Sequence, residues 1–203
     1  MSDPGERYAF IEDGMAFDAY CLTIVQGQEV DAVLRAFSVI VATETLLTFG
    51  HQPRMSAPYP LGEGNDTVFV DTFGGAVVAA EFNGWAGTEE QRARTLSAIG
   101  SHTALYRSVN ADMRFVHARR GAVVRTFDPL LYVAEGALAE EEGLPFGWPG
   151  RPAAAALMLV ERLTGVRLER SWLLDVAHPT YRRDPGGGCG PPFPGRHSSE
   201  TSG

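Results

Sequence analysis

Apolar and polar positions alternate most regularly between Thr67 and Phe127. Thr67–Phe73 and Ala76–Phe82 are β-branched and aromatic runs split by Gly74-Gly75, the spacing of a tight hairpin. Thr103–Val109, Met113–Arg119 and Ala122–Phe127 follow, separated by Asn110-Ala-Asp112 and Arg120-Gly121, and read as a three-stranded meander. Upstream, Tyr20–Val25 is a strand ended by Gly27. Val30, Val33, Leu34 and Phe37 then recur at helical spacing on one face. Thr88-Glu-Glu-Gln91 has the form of a capping box. It opens a helix that buries Ala93, Leu96 and Ile99 and stops at Gly100 as a left-handed cap.

Outside that region the pattern weakens. Tyr8–Ala19 reads as a short helix. Residues 38–66 read as a loop or flap, with one helical turn at Thr43–Phe49 before Pro53, Pro58, Pro60, Gly62 and Gly64 break any regular structure. Asp128-Pro129 ends the sheet, and Glu135–Glu142 reads as a solvated acidic stretch. Pro152 suits the first position of a helix over Ala153–Leu163 that turns Ala156, Leu157 and Val160 inward and ends at Gly165. A second short helix covers Arg170–Val176, and Asp184–Gly203 is too rich in Gly and Pro to pack. The expected architecture is one α+β domain over residues 1–183 with a disordered tail over 184–203. Its mostly antiparallel sheet has roughly six strands with helices packed on it. The first six elements run in the order of a split βαββαβ core.

Composition narrows the classes of function. A hydrophobic share of 44% and a net charge of −8 suit a soluble protein and oppose both nucleic-acid binding and attraction to anionic lipid. All 17 basic residues are arginine. The start of the chain lacks the apolar core of a signal peptide, and Arg35 and Glu44 interrupt the most hydrophobic stretch, so a cytoplasmic protein is expected. Cys21 and Cys189 suggest neither a disulfide framework nor a metal site. His51, His102, His117, His178 and His197 are too scattered to hold a metal, and no cofactor is implied. Ser101-His102 cannot pair as nucleophile and base, because neighbours in a strand point to opposite faces.

Strand alternation groups Leu105, Arg107 and Val109 on one strand. It groups Phe115, His117 and Arg119 on the next, and Val123, Arg125 and Phe127 on the last. Each apolar face thus carries a cation or an imidazole. Two readings follow: a basic pocket for an anionic ligand or acidic partner, or a face paired with Asp71, Glu81, Asp128 or Glu161. Arg114, Arg119 and Arg120 lie near a hairpin end, where the Glu135–Glu142 acids are alternative partners. The candidate binding set is Trp85, Tyr106, Arg107, Asn110, His117, Arg125 and Glu81. In the main reading these residues serve a non-catalytic module for a protein partner or a small anionic ligand, an immunity or regulatory partner being one form. In the alternative, Glu81 or Asp71 is the general base of a small enzyme and Arg107 holds an anion.

Five strings occur in order: Tyr20–Gly27, Glu81-Phe-Asn-Gly-Trp85, Tyr106-Arg-Ser-Val-Asn-Ala111, Phe127-Asp-Pro-Leu130 and Glu161-Arg-Leu-Thr-Gly-Val166. As a set they resemble the actinobacterial domain-of-unknown-function family 6461, over roughly Tyr8–Val176. The family commonly has Asn where Ser108 stands and a proline in the Glu81–Gly84 turn. The resemblance implies a soluble bacterial α+β domain and carries no catalytic residue over.

Overall fold

The computed structural model describes residues 4–12, 19–48, 67–82 and 84–183. One eight-stranded antiparallel sheet organises them: β1 (Tyr20–Gln26), β2 (Val39–Thr48), β3 (Thr67–Phe73), β4 (Ala76–Phe82), β5 (Ser101–Arg107), β6 (Met113–Arg119), β7 (Ala122–Phe127) and β8 (Ala177–Arg183). The strand order is β2-β8-β3-β4-β1-β5-β6-β7. The helices are α1 (Pro4–Arg7), α2 (Val30–Ala36), α3 (Glu90–Leu96), α4 (Pro152–Thr164) and α5 (Arg170–Asp175).

The central four strands, β3-β4-β1-β5, realise the split βαββαβ arrangement. The β3–β4 hairpin and β5 flank β1, and every neighbouring pair is antiparallel. Gly74 and Gly75 both take positive φ, as a two-residue hairpin turn requires. The sheet has two strands more than expected. Residues 39–48, expected as loop and helical turn, form edge strand β2 on β8; the rest of the 38–66 segment and the tail from residue 184 lie outside the described residues. Neither β2 nor β8 alternates cleanly. The β2–β8 pairing shifts register twice, and β8 contains Pro179, just past Thr180, where its ladder to β3 ends.

Both faces of the sheet are covered. Even-numbered β1 and β4 residues, with Phe69, Leu105, Met113 and Phe115, form a core with α4, α5 and the N-terminal segment. Val25, Val68, Val70, Val77 and Ala79 pack against Val33, Phe37 and Leu96 of α2 and α3. Helix α4 is buried at every position from Pro152 to Val160, on all sides, because the sheet lies beneath it and the 8–12 and 128–147 segments wrap over it. Gly165 ends α4 in the left-handed region, as expected.

Three local expectations fail for identifiable reasons. Thr88 Oγ1 donates to the Trp85 carbonyl in a 3-10 turn over Ala86–Thr88, so the capping box does not form and α3 begins at Glu90. Since α3 ends at Leu96, Ile99 is 74% exposed. Gly100 is not a left-handed cap: its backbone passes so near β1 that a Cβ there would lie 2.0 Å from the Gln26 carbonyl oxygen.

Candidate functional site

On the α4 side, four rows cross the sheet. They read Tyr20–Arg107–Met113, Leu22–Leu105–Phe115–Phe127, Ile24–Thr103–His117–Arg125 and Gln26–Ser101–Arg119. A register shift between His117 and Ala118 moves Val123 to the opposite face beside Ala118, so it does not share a face with Arg125 and Phe127. Glu81, Cys21 and Tyr106 lie on that opposite face as well.

Glu81 is fully buried, and both of its carboxylate oxygens accept hydrogen bonds. Arg183 Nη1 donates to Oε1 at 2.6 Å, the Ala86 amide to Oε1 at 3.2 Å and the Gly87 amide to Oε2 at 2.8 Å. The Glu81-to-Thr88 motif is therefore a cradle in which a side chain organises its own following loop. Arg92 completes it, donating to the Ala86 and Ala36 carbonyls and to Glu89. Gly87 is obligatory here, since a Cβ would lie 2.0 Å from Thr23 Oγ1 and 2.9 Å from Cys21 Sγ. Burial, and then the Glu81 charge, push the Cys21 thiol well above its usual range, which leaves it inert.

Arg125 is equally committed. Its guanidinium forks onto Glu141 (Nε–Oε1 2.8 Å, Nη2–Oε2 3.0 Å), donates to the carbonyls of Val133 and Glu135, and lies 4.5 Å over the Phe127 ring. Glu141 comes from the stretch expected to be solvated; it is buried because it clamps the 128–147 segment onto β7. None of the four carboxylates named from sequence pairs with Arg107, Arg119 or Arg125, the arginines grouped on the strand faces; Glu81 pairs with Arg183 of β8 instead. Glu161 binds Arg7 and the Tyr8 hydroxyl, Asp128 accepts from the amides of Leu130 and Leu131, and Asp71 meets His178 at 2.9 Å.

Arg107 lies 3.8 Å from Glu12, whose carboxylate also accepts from the Ala153 and Ala154 amides at the start of α4. Arg107 and Asp71 face α4 and α5, whereas Glu81 faces α2 and α3, so neither the carboxylate dyad nor the Glu81–Arg107 constellation is assembled. His117 Nδ1 sits 2.8 Å from Thr103 Oγ1; burial and then Arg119 hold its pKa down to about 4. His102 is wholly buried between Val25 and Ala118 with neither ring nitrogen hydrogen-bonded, and burial lowers its pKa to about 3. Trp85 packs on Cys21, Ala104 and Tyr106, and Asn110 is exposed in the β5–β6 turn. The seven candidates are thus distributed over both faces and do not converge.

An open concavity of about 310 Å³ lies elsewhere, at the last of the four rows. Gln26, Ile99, Gly100, Ser101, Arg119 and Arg120 line it. Ser101 Oγ donates to Gln26 Oε1 at 2.8 Å, and Gln26 Nε2 donates to the Thr164 carbonyl at 2.7 Å. Arg119 and Arg120 are both exposed there, and the alternative that they meet the Glu135–Glu142 acids is not realised by any ion pair among the described residues. Their signal in the sequence is two adjacent arginines in a hairpin turn, which strand-face grouping alone splits apart.

Among the described residues, no helix is long and apolar enough to cross a membrane, and no three His, Cys, Asp or Glu side chains are grouped to hold a metal. No curated protein and no solved structure matches the chain. A family model, a family of unknown function designated DUF6461, matches residues 5–141. That segment holds β1 to β7 and the Glu81 loop and ends on Glu141, the partner of Arg125; α4, α5 and β8 follow it. By this match over two thirds of its length, the chain belongs to the DUF6461 family of unknown function.

Proposed function

We propose that this chain is a non-catalytic recognition module that holds a partner or a small ligand on its surface. The observation that carries the reading is the commitment of its acid–base groups. Glu81 is enclosed by Arg183 and two amides, Arg125 by Glu141 and two carbonyls, and His117 lies against Thr103. A general base must come within hydrogen-bond reach of a substrate proton. Glu81 is fully buried, and Arg183 and two amides already donate to its two oxygens. Buried networks satisfied in this way fix a fold.

Incubating the protein with a bacterial metabolite extract and following every mass with time tests the reading. A recognition module retains a component in stoichiometric amount and leaves its mass unchanged. Continuous consumption of a component, abolished by Glu81→Gln in a variant that still folds, would contradict it.

A further inference from the structure

We propose that the concavity at the ends of β1, β5 and β6 binds a small organic oxyanion, a carboxylate or phosphate monoester. Arg119 and Arg120 would hold the charge, with Ile99 against the apolar part. The proposal rests on the recognition reading and names its ligand class.

Charge is the first argument. Eight of the described arginines have carboxylate partners, at Arg7, Arg92, Arg94, Arg107, Arg114, Arg125, Arg170 and Arg183. Among the described residues, Arg119 and Arg120 are two of the seven arginines without a carboxylate partner, with Arg35, Arg151, Arg162, Arg167 and Arg182, and they are the two that line the concavity. The other lining side chains, Gln26, Ser101 and Ile99, are neutral, so nothing in the concavity competes with an anion. Two planar guanidinium forks match the geometry of carboxylate and phosphate oxygens.

Backbone conformation is the second. Arg120 has φ +52° and Gly121 φ +76°, the pair of positive values that a two-residue hairpin turn needs. Asn, Asp or Gly suits the first of those positions, and other residues held there are strained. Arg120 holds that conformation, as Ser38 and Ala111 do elsewhere, and the turn fixes its backbone beside Arg119 at the concavity.

Rigidity is the third. The Arg120 amide donates to the Gly100 carbonyl at 3.2 Å, and the Gly121 amide donates to the Ser97 carbonyl and hydroxyl, each at 3.2 Å. The hairpin turn is therefore pinned to the segment after α3, and Gly100 is itself pressed against β1. A site built this way loses little freedom on binding. Its volume lies near the lower end of small-molecule pockets, roughly 300–1,000 Å³, which suits a single charged group with a short apolar extension. Ile99 supplies the apolar contact from the rim.

The test is an amide-resolved NMR titration of the full chain with phenyl phosphate and with benzoate, using phenol as the uncharged control. Wild type should show saturable shifts centred on Ser101 and on Arg119 to Gly121, and phenol should show none. Arg119→Ala and Arg120→Asn should each weaken binding by roughly tenfold or more. Asn suits the left-handed turn, so Arg120→Asn removes the guanidinium without endangering the fold, and Arg35→Ala on α2 should bind as wild type does. Absence of saturable shifts, or equal affinity in wild type and both concavity variants, overturns the site and leaves the recognition reading standing. Release of phenol from phenyl phosphate would instead overturn the recognition reading.

Discussion

Replacing Arg183 with Met separates an architectural Glu81 from a reactive one. Arg183 Nη1 lies 2.6 Å from Glu81 Oε1, and the two side chains are 11% and 0% exposed. Met keeps the aliphatic bulk of arginine and removes the charge, leaving a buried carboxylate with only the Ala86 and Gly87 amides. Breaking a buried pair on one side costs about 3–5 kcal/mol. For a chain of this size, roughly 2–4 °C per kcal/mol, the melting temperature should fall by about 6–20 °C. Glu81→Gln should cost a similar amount, because the amide nitrogen cannot accept a hydrogen bond as the second carboxylate oxygen does and Arg183 would lose its charge partner at this position. The double variant should be less unstable than the two single losses summed, by about 1–3 kcal/mol of coupling. Urea unfolding of the four proteins measures all of this. A stability for Arg183→Met within about 0.5 kcal/mol of wild type, the range of an indifferent surface change, would refute the reasoning.

Four further outcomes follow. Folded-state pKa values of about 4 for His117 and about 3 for His102 lie below the usual 6.5, so both imidazoles stay neutral in the fold while the unfolded chain takes up protons. The stability they protect is complete above pH 6.5 and drains as pH falls toward the folded values; each residue should cost about 2 kcal/mol between pH 7.5 and 5, read from urea midpoints. His102→Met should remove its share of that pH dependence and be neutral or stabilising at pH 7.5, because neither ring nitrogen has a partner to lose; a loss of several kcal/mol would contradict this. Gly87→Ala should destabilise by about 3 kcal/mol or more through its clash with Thr23 and Cys21. At Gly75, where a Cβ meets nothing within 4 Å, alanine should cost only the strain of positive φ, about 1–2 kcal/mol, in the same denaturation series.

The sheet was legible where period-two alternation met turn glycines: β3–β4 and β5–β7 lie within a residue or two of where the pattern places them. The strand β8 was not, because Pro179 and the Arg182-Arg183 pair argue against an internal strand. Only tertiary context reveals that the ladder to β3 stops at Thr180 and that Arg183 neutralises Glu81. Face alternation located Arg125 and His117 correctly but not their partners. Glu141 lies 16 residues from Arg125 and Glu12 lies 95 positions before Arg107, distances over which no periodicity carries information. The Glu81–Trp85 string was legible as part of the family resemblance, yet its role was not: a carboxylate that binds its own loop and one that serves a substrate leave the same residues in the sequence.

Native-state hydrogen exchange at the amides of Ala86 and Gly87 tests most directly whether Glu81 is part of the scaffold. Both amides donate to a fully buried carboxylate. If that contact belongs to the core, they should exchange only by global unfolding, with the same denaturant dependence as the central β1 amides. Exchange near the rate of an unprotected loop, independent of denaturant, would show that the cradle opens on its own. Glu81 would then be available for chemistry, which contradicts the account.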